Sequence, residues 1–366
     1  MAIPARYQQN KLKTTWARIR YFLALLKVKA SGSTDPIMSC LIVNNKCNFK
    51  CKYCFGSYGH SKTPDYTTEE LKGLIDDLYA MGVRYMNIHG GETLLRRDIG
   101  EIVDHIKGKG MYCGLITNGS LLQKRIDEII NVDNITISLD GRRENNDLNR
   151  GKGTYDKALS AIKLTIKEKI PLRVSATITK HTMNDVGYLA KLAKELGFTI
   201  YFSILFKPLP QAKDCEMTDA EIREAISQVI EYKRKGYPVF TSNIAAEYAR
   251  DWPLDHNKYH YLKKKDLDKL PKDFKPIKCC YGKNQISIEG DGNVYPCFLL
   301  ADKDKFKPLN WREVGIREAY KHVQETNDCL TCPAMSQNDH SLLVGLNLNQ
   351  IKMVIMNQLK ESFKRN

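Results

Sequence analysis

Six short apolar runs rich in β-branched residues, each followed by a stretch of helical periodicity, constrain this chain more than any other feature. They cover Met38 to Asn44, Arg84 to His89, Tyr112 to Thr117, Asn134 to Leu139, Leu172 to Thr179 and Thr199 to Phe206. Strands that alternate with helices pair in parallel, because each right-handed crossover returns the chain to the same end of the sheet. The pattern therefore predicts an α/β fold, a partial (β/α)6 TIM-like barrel. Thr67xxGlu70 and Thr218xxGlu221 have capping-box spacing, and Gly82, Gly197 and Gly236 stand where helices should stop. Residues 237–278, rich in Lys, Asp, Tyr and Pro, break the alternation and read as a bridge to a second region. With 42% hydrophobic and 27% charged residues the composition excludes collagen-like and disordered classes. The longest apolar stretch, Tyr21 to Leu26, is too short to cross a bilayer, and no cleavable signal pattern precedes it, so the expected location is cytoplasmic.

Polar motifs follow the predicted strands with regularity. Cys47 comes after the first, Gly90-Gly91-Glu92 after the second, Thr117-Asn118-Gly119 after the third, and Ser138-Leu139-Asp140-Gly141 lies at the fourth. In parallel β/α folds ligands bind at the C-terminal ends of strands, where loop backbone and helix N-termini converge. Eleven cysteines in such a chain argue for thiolate ligands over a disulfide framework. Cys47, Cys51 and Cys54 form CxxxCxxC, Cys279, Cys280, Cys297, Cys329 and Cys332 gather toward the C-terminus, and Cys40, Cys113 and Cys215 stand alone, reading as small buried hydrophobes. Three thiolates on a tight loop can hold three corners of a cubane cluster and leave one iron open to another ligand. Zinc is the alternative, with His60 or His89 as the nearby fourth ligands.

The segment CNFKCKYCF at 47–55, followed by GGE at 90–92, TNG at 117–119 and SLDG at 138–141, resembles the radical S-adenosylmethionine (radical SAM) superfamily over about residues 37–207. The resemblance implies a [4Fe-4S] cluster on Cys47, Cys51 and Cys54 whose open iron chelates SAM. Reduction then yields a 5′-deoxyadenosyl radical that abstracts a hydrogen atom from an unactivated carbon. It further implies that Gly90 and Gly91 permit close backbone approach and that Glu92 offers an anion to the SAM ammonium. Tyr53 matches the aromatic residue packed on the adenine, although it serves equally as a loop anchor. Ser138 and Arg150 match positions that hold the ribose and the SAM carboxylate in the peptide-modifying and sulfatase-maturing branch; Arg150 read alone is a solvated charge. The usual GGEP is GGET here, with Thr93 making the turn less rigid than proline would.

Cys280, Gly292 and Cys297 fit the CxnGxxxxC pattern of SPASM and twitch domains, with Gln285 to Glu289, the turn Gly290 to Asn293 and the strand Val294-Tyr295 forming a hairpin. Cys329xxCys332 supplies two more thiolates. The similarity implies a small C-terminal cysteine-rich domain of the shorter twitch type, with a second [4Fe-4S] auxiliary cluster on Cys280, Cys297, Cys329 and Cys332 acting as an electron conduit. Cys279 competes with Cys280, and tetrahedral zinc competes with iron-sulfur. Glu289 and Asp291 read as hairpin and turn residues. The expected layout is a basic amphipathic helix at 1–36, the barrel at 37–236, the bridge at 237–278, the auxiliary domain at 279–335 and a C-terminal helix at 336–366.

The net charge of +15 concentrates at the ends: residues 1–34 hold seven bases and no acid. Bases placed away from the presumed active rim argue against a nucleic-acid partner. Leu12, Trp16, Ile19, Leu23 and Leu26 lie on one helical stripe flanked by Lys and Arg, which suits peripheral contact of residues 10–30 with an anionic membrane, or docking on the barrel or a partner. The expected partners are an external one-electron reductant of flavodoxin or ferredoxin type and a substrate that is a small molecule, a lipid-linked metabolite or a peptide. A non-catalytic metal-binding interaction module, recruited by the basic helix, is the alternative function.

Overall fold

The computed structural model describes residues 5–56, 58, 64–206, 210–301 and 305–363. All six predicted strands form: β1 Met38–Ile42, β2 Tyr85–His89, β3 Tyr112–Thr117, β4 Asn134–Ser138, β5 Leu172–Ile178 and β6 Thr199–Ile204. They are followed by β7 Leu262–Lys263, β8 Gln285–Ile288, β9 Asn293–Tyr295, β10 Leu309–Asn310 and β11 Cys329–Thr331. The chain divides into two compact units. One comprises 1–49, 56–136 and 280–327, the other 50–55, 137–279 and 328–366, so β4 gives residues to both. The class is the expected one, a largely parallel sheet with covering helices of the partial-barrel type.

In the first unit, β1 pairs in parallel with β2, and β2 with β3. The predicted hairpin is present, β8 against β9, and β8 also pairs in parallel with β1, Met38 opposite Gln285. Through this pairing the hairpin extends the sheet of the first unit, which includes 280–327. The helix Ile99–Gly108 buries Ile99, Ile102, Val103 and Ile106, the i, i+3, i+4, i+7 set that fills one face, each worth roughly 1.5–3 kcal/mol when fully buried. Thr67 and Glu70 make the reciprocal capping box expected of them, and Gly82 ends the same helix at φ 120°, a conformation that favours glycine.

The N-terminal helix Ala5–Ser31 docks in this unit, though not through the expected stripe. Thr14, Ala17, Leu25 and Val28 are buried, Arg20 donates to Lys109 O at 2.9 Å and to the Tyr79 hydroxyl at 2.6 Å, and Tyr21 packs on Tyr85 with ring centroids 5.2 Å apart. Leu12, Trp16, Ile19, Leu23 and Leu26 face solvent, Leu12 at 77% and Trp16 at 57% exposure.

In the second unit β5 and β6 pair in parallel, Arg173 opposite Thr199, and β5 alternates buried and half-buried residues along its length. Thr218 and Glu221 form the second capping box, and Gly197 ends the helix Val186–Leu196 in the left-handed region. The bridge 237–278 carries the helix Asn243–Arg250 and the fully buried Trp252, whose ring meets Tyr248 and Phe274. The expected single C-terminal helix is two, Met335–Val344 and Leu348–Phe363, broken where Leu346 adopts φ 56°.

Candidate active site

Within the first unit the loops after β1, β2 and β3 are joined through Glu92. Its backbone N–H donates to Lys46 O at 2.7 Å, next to Cys47. Its carboxylate, 1% exposed, accepts from Thr117 Oγ1 at 2.5 Å, Leu94 N at 3.0 Å and Asn118 N at 2.7 Å. Asn118 Nδ2 then donates to Asn48 Oδ1 at 2.9 Å, which ties the TNG motif to the cysteine loop. Every donor on this carboxylate is neutral, and burial pushes its pKa up despite them. Three of about four acceptor positions are used, so one stays open to a further donor.

Gly90 and Gly91 serve the protein's own packing. A Cβ at Gly91 would collide with Lys46 O, and one at Gly90 with Asn44 Oδ1. That Asn44 oxygen is buried and has no hydrogen-bond partner among the described residues, while Asn44 Nδ2 donates to Glu92 O at 2.9 Å. Thr93 compensates for the missing proline: its hydroxyl donates to Ile116 O at 2.7 Å and pins the turn to β3. His89 sits edge-on to Phe298, and burial lowers its pKa to about 4, so the ring is neutral near pH 7. His60 lies outside the described residues.

The second unit has its own carboxylate hub, Asp140 of the SLDG motif. Arg150 grips it with two bonds, Nε to Oδ2 and Nη2 to Oδ1, both 2.8 Å, and the Tyr53 hydroxyl donates to Oδ2 at 2.6 Å. Thr177 N at 3.0 Å and Asn149 Nδ2 at 3.3 Å complete the shell. The Arg150 guanidinium lies 5.5 Å from the centre of the Tyr53 ring. Burial alone would lower the Arg150 pKa, yet Asp140 outweighs it and raises it. Arg150 is thus no solvated charge: it is one half of a buried ion pair, and Tyr53 is held by its hydroxyl. Lys52 N donates to Asn149 O at 3.0 Å, which fixes the cysteine-bearing segment 50–55 to the same hub. Ser138 is half-buried at the C-terminal end of β4.

The cysteines have suitable chemistry for metal. None forms a disulfide. Phe49 N donates to Cys47 Sγ at 3.4 Å and Leu299 N to Cys297 Sγ at 3.2 Å, the backbone contacts that stabilise a thiolate. Cys54 N closes a turn on Cys51 O at 3.2 Å. In the first unit Cys280 and Cys297 are buried, and the hairpin turn is tied to the chain beyond β1 by Asn45 Nδ2 on Gly290 O at 2.8 Å. In the second, Cys332 is buried and Cys329 half-buried on β11, while Cys279, half-buried, donates its N–H to Leu330 O at 3.1 Å.

Sequence reasoning passed over Asn44, Asp140 and Asn149 as individual residues. Asp140 was in view within SLDG, but nothing in a motif says which member will be the hub. Cys215 is not solitary: His181 and Asp214 lie beside it.

Against known proteins, residues 41–202 match the model of the radical SAM superfamily. The AdoMet-dependent heme synthase of Methanosarcina barkeri is 26% identical over 292 residues, covering 76% of this chain and 80% of that one. The mycofactocin maturase MftC of Mycolicibacterium smegmatis is 30% identical over 174 residues, 46% of this chain and 44% of that one, so the chain matches less than half of that relative's length. Among solved structures, Streptococcus suis SuiB bound to S-adenosylmethionine superposes with a TM-score of 0.60 at 16% identity, covering 82% of this chain and 70% of that one.

Proposed function

Since this chain is an enzyme of the radical SAM superfamily, we propose that it removes a hydrogen atom from an unactivated carbon of its substrate and passes an electron from the substrate radical to an auxiliary iron-sulfur centre. When bound, SAM and a reduced [4Fe-4S] cluster would supply the chemistry, one-electron reductive cleavage of the sulfonium coupled to hydrogen-atom abstraction, with methionine and 5′-deoxyadenosine as products. Cys47, Cys51 and Cys54 would hold that cluster, and Cys280, Cys297, Cys329 and Cys332 the auxiliary one. The observation that carries the reading is the buried carboxylate of Glu92, which meets no cation among the described residues, on a loop whose backbone is held by Asn44, itself with a side-chain oxygen that has no hydrogen-bond partner there. A buried carboxylate without a positive partner is costly, and a ligand ammonium on Glu92 would relieve it. Arg150, already paired with Asp140, can add a ligand carboxylate on an unused N–H, and Tyr53 offers its ring as a stacking face.

The exposed stripe Leu12, Trp16, Ile19, Leu23 and Leu26, with Lys13, Lys27 and Lys29 on the same helix, supports work at an anionic lipid surface on a lipid-linked substrate. The relatives named as maturases keep a peptide substrate as the rival. No described helix is long and apolar enough to cross a membrane, so the contact would be peripheral. The test of the reaction is anaerobic reconstitution with iron, sulfide, reductant and SAM. Wild type and Cys297→Ala should form 5′-deoxyadenosine, and Cys51→Ala should form none. Product from Cys51→Ala, or none from a fully reconstituted wild type, contradicts the proposal.

A further inference from the structure

Beyond the C-terminal ends of β5 and β6 the second unit gathers an imidazole, a carboxylate and a thiol. His181, Asp214 and Cys215 place one donor atom each within 4.8 Å of one another. Cys215 is fully buried. The His181 Nε2 atom is buried without a hydrogen-bond partner among the described residues and lies 3.4 Å from Asp214 Oδ2. That same oxygen draws the Lys52 ammonium to 2.6 Å, so a cation already sits against the cluster. Asn149 Oδ1 is 4.0 Å from Cys215 Sγ. We propose that His181, Asp214 and Cys215 form a binding site for one divalent ion of the zinc class, separate from the cysteine clusters.

The donor set selects the ion. One nitrogen, one oxygen and one sulfur suit zinc, and a single thiolate is too few for an iron-sulfur cluster. Zinc with bonds of about 2.0–2.3 Å sets its ligands roughly 3.3–3.8 Å apart, so the side chains close by about 1 Å when it binds. Charge balances within the site: two positive charges meet the Asp214 carboxylate and the Cys215 thiolate, with His181 neutral. The Cys215 proton leaves to solvent, since only the thiolate ligates. Burial first, then Asp214, hold that thiol's pKa up at about 11 without metal, so binding releases close to one proton at neutral pH. Lys52 gives up Asp214 and keeps its charge toward water. Three protein ligands leave a fourth position for water or an oxygen of a substrate. An ordinary ion pair explains Lys52 and Asp214 but gives His181 Nε2 only the 3.4 Å contact with Asp214 Oδ2 and no hydrogen bond among the described residues.

The test uses the full chain reconstituted with iron and sulfide, then titrated with zinc. Bound zinc is counted by elemental analysis, and its ligands are read by X-ray absorption at the zinc edge. Wild type should bind one zinc with a shell of one sulfur and lighter N/O atoms. His181→Ala and Cys215→Ser should each weaken binding at least roughly tenfold with iron content unchanged. Lys52→Gln should tighten it, by at most about fivefold, as an exposed ion pair allows. His181→Gln replaces Cys215→Ser should the latter lose its fold. Equal zinc in wild type and His181→Ala, an all-sulfur shell, or no zinc in wild type overturns the site. The readout is independent of SAM cleavage, so it stands or falls apart from the proposed reaction.

Discussion

Glu92 in one unit and Asp140 in the other are both buried carboxylates at the ends of parallel strands, and they are satisfied in opposite ways. Among the described residues Glu92 meets neutral donors alone, namely a threonine hydroxyl and two backbone N–H groups. Asp140 faces a bidentate arginine and a tyrosine hydroxyl. The second carboxylate is already neutralised by the protein, so it holds structure. The first keeps an unbalanced charge, which is where a cationic group of a ligand gains most.

That contrast is broken most forcefully at Asp140. In Asp140→Asn the Arg150 guanidinium stays buried without a counter-charge, and the expected loss of stability is about 3–5 kcal/mol, read as a lowered urea midpoint. A midpoint equal to wild type would mean the pair is not structural. Glu92→Gln should behave differently. A lost acceptor is offset by relief of a buried charge, so ligand-free stability changes by under about 1 kcal/mol. SAM affinity of the reconstituted protein, however, should fall roughly 10–100-fold by titration calorimetry. Wild-type affinity should also rise with pH as the raised Glu92 group ionises, while Glu92→Gln gives a flat profile.

A third carboxyl sharpens the same rule. Glu289 accepts from the Tyr58 hydroxyl at 2.9 Å, its other oxygen is buried with no hydrogen-bond partner among the described residues, and burial pushes its pKa to about 7. A folded pKa above the unfolded one favours the protonated folded state, so this stabilisation is complete below about pH 4.5 and is lost as pH rises through about 7. Between pH 5 and pH 8 wild type should lose roughly 2–3 kcal/mol that Glu289→Gln retains; parallel stability curves would contradict it. Smallest is the lipid contact. Trp16→Glu and Leu23→Glu should reduce sedimentation with phosphatidylglycerol vesicles several-fold without lowering the melting temperature, because both side chains are exposed. Unchanged sedimentation removes the membrane from the account.

The strands, the capping boxes and the hairpin were legible because each depends on residues close in sequence. The parallel pairing of β8 with β1 was not, since a sheet edge accepts any partner that tertiary packing delivers. The docking face of the N-terminal helix was hidden for a related reason. Leu12, Trp16, Ile19, Leu23 and Leu26 make the more apolar stripe, yet Thr14, Ala17 and Leu25 allow closer approach and a neighbouring stripe buries instead. At the site, the motifs named the right loops but not who bonds to whom. Arg150 reads as a ligand or a surface charge until Asp140 is found at 2.8 Å. Cys215 reads as a small hydrophobe until the fold brings His181 beside it.

The most direct measurement is the electron paramagnetic resonance spectrum of the reduced protein before and after SAM is added, in a Cys280→Ala, Cys297→Ala, Cys329→Ala, Cys332→Ala variant that lacks the four auxiliary-cluster cysteines and keeps the N-terminal motif intact. The account predicts a single reduced [4Fe-4S] signal whose g-values shift on adding SAM, with the shift lost when Glu92→Gln is combined at limiting SAM. A fully reduced N-terminal cluster whose spectrum is identical with and without saturating SAM would contradict it.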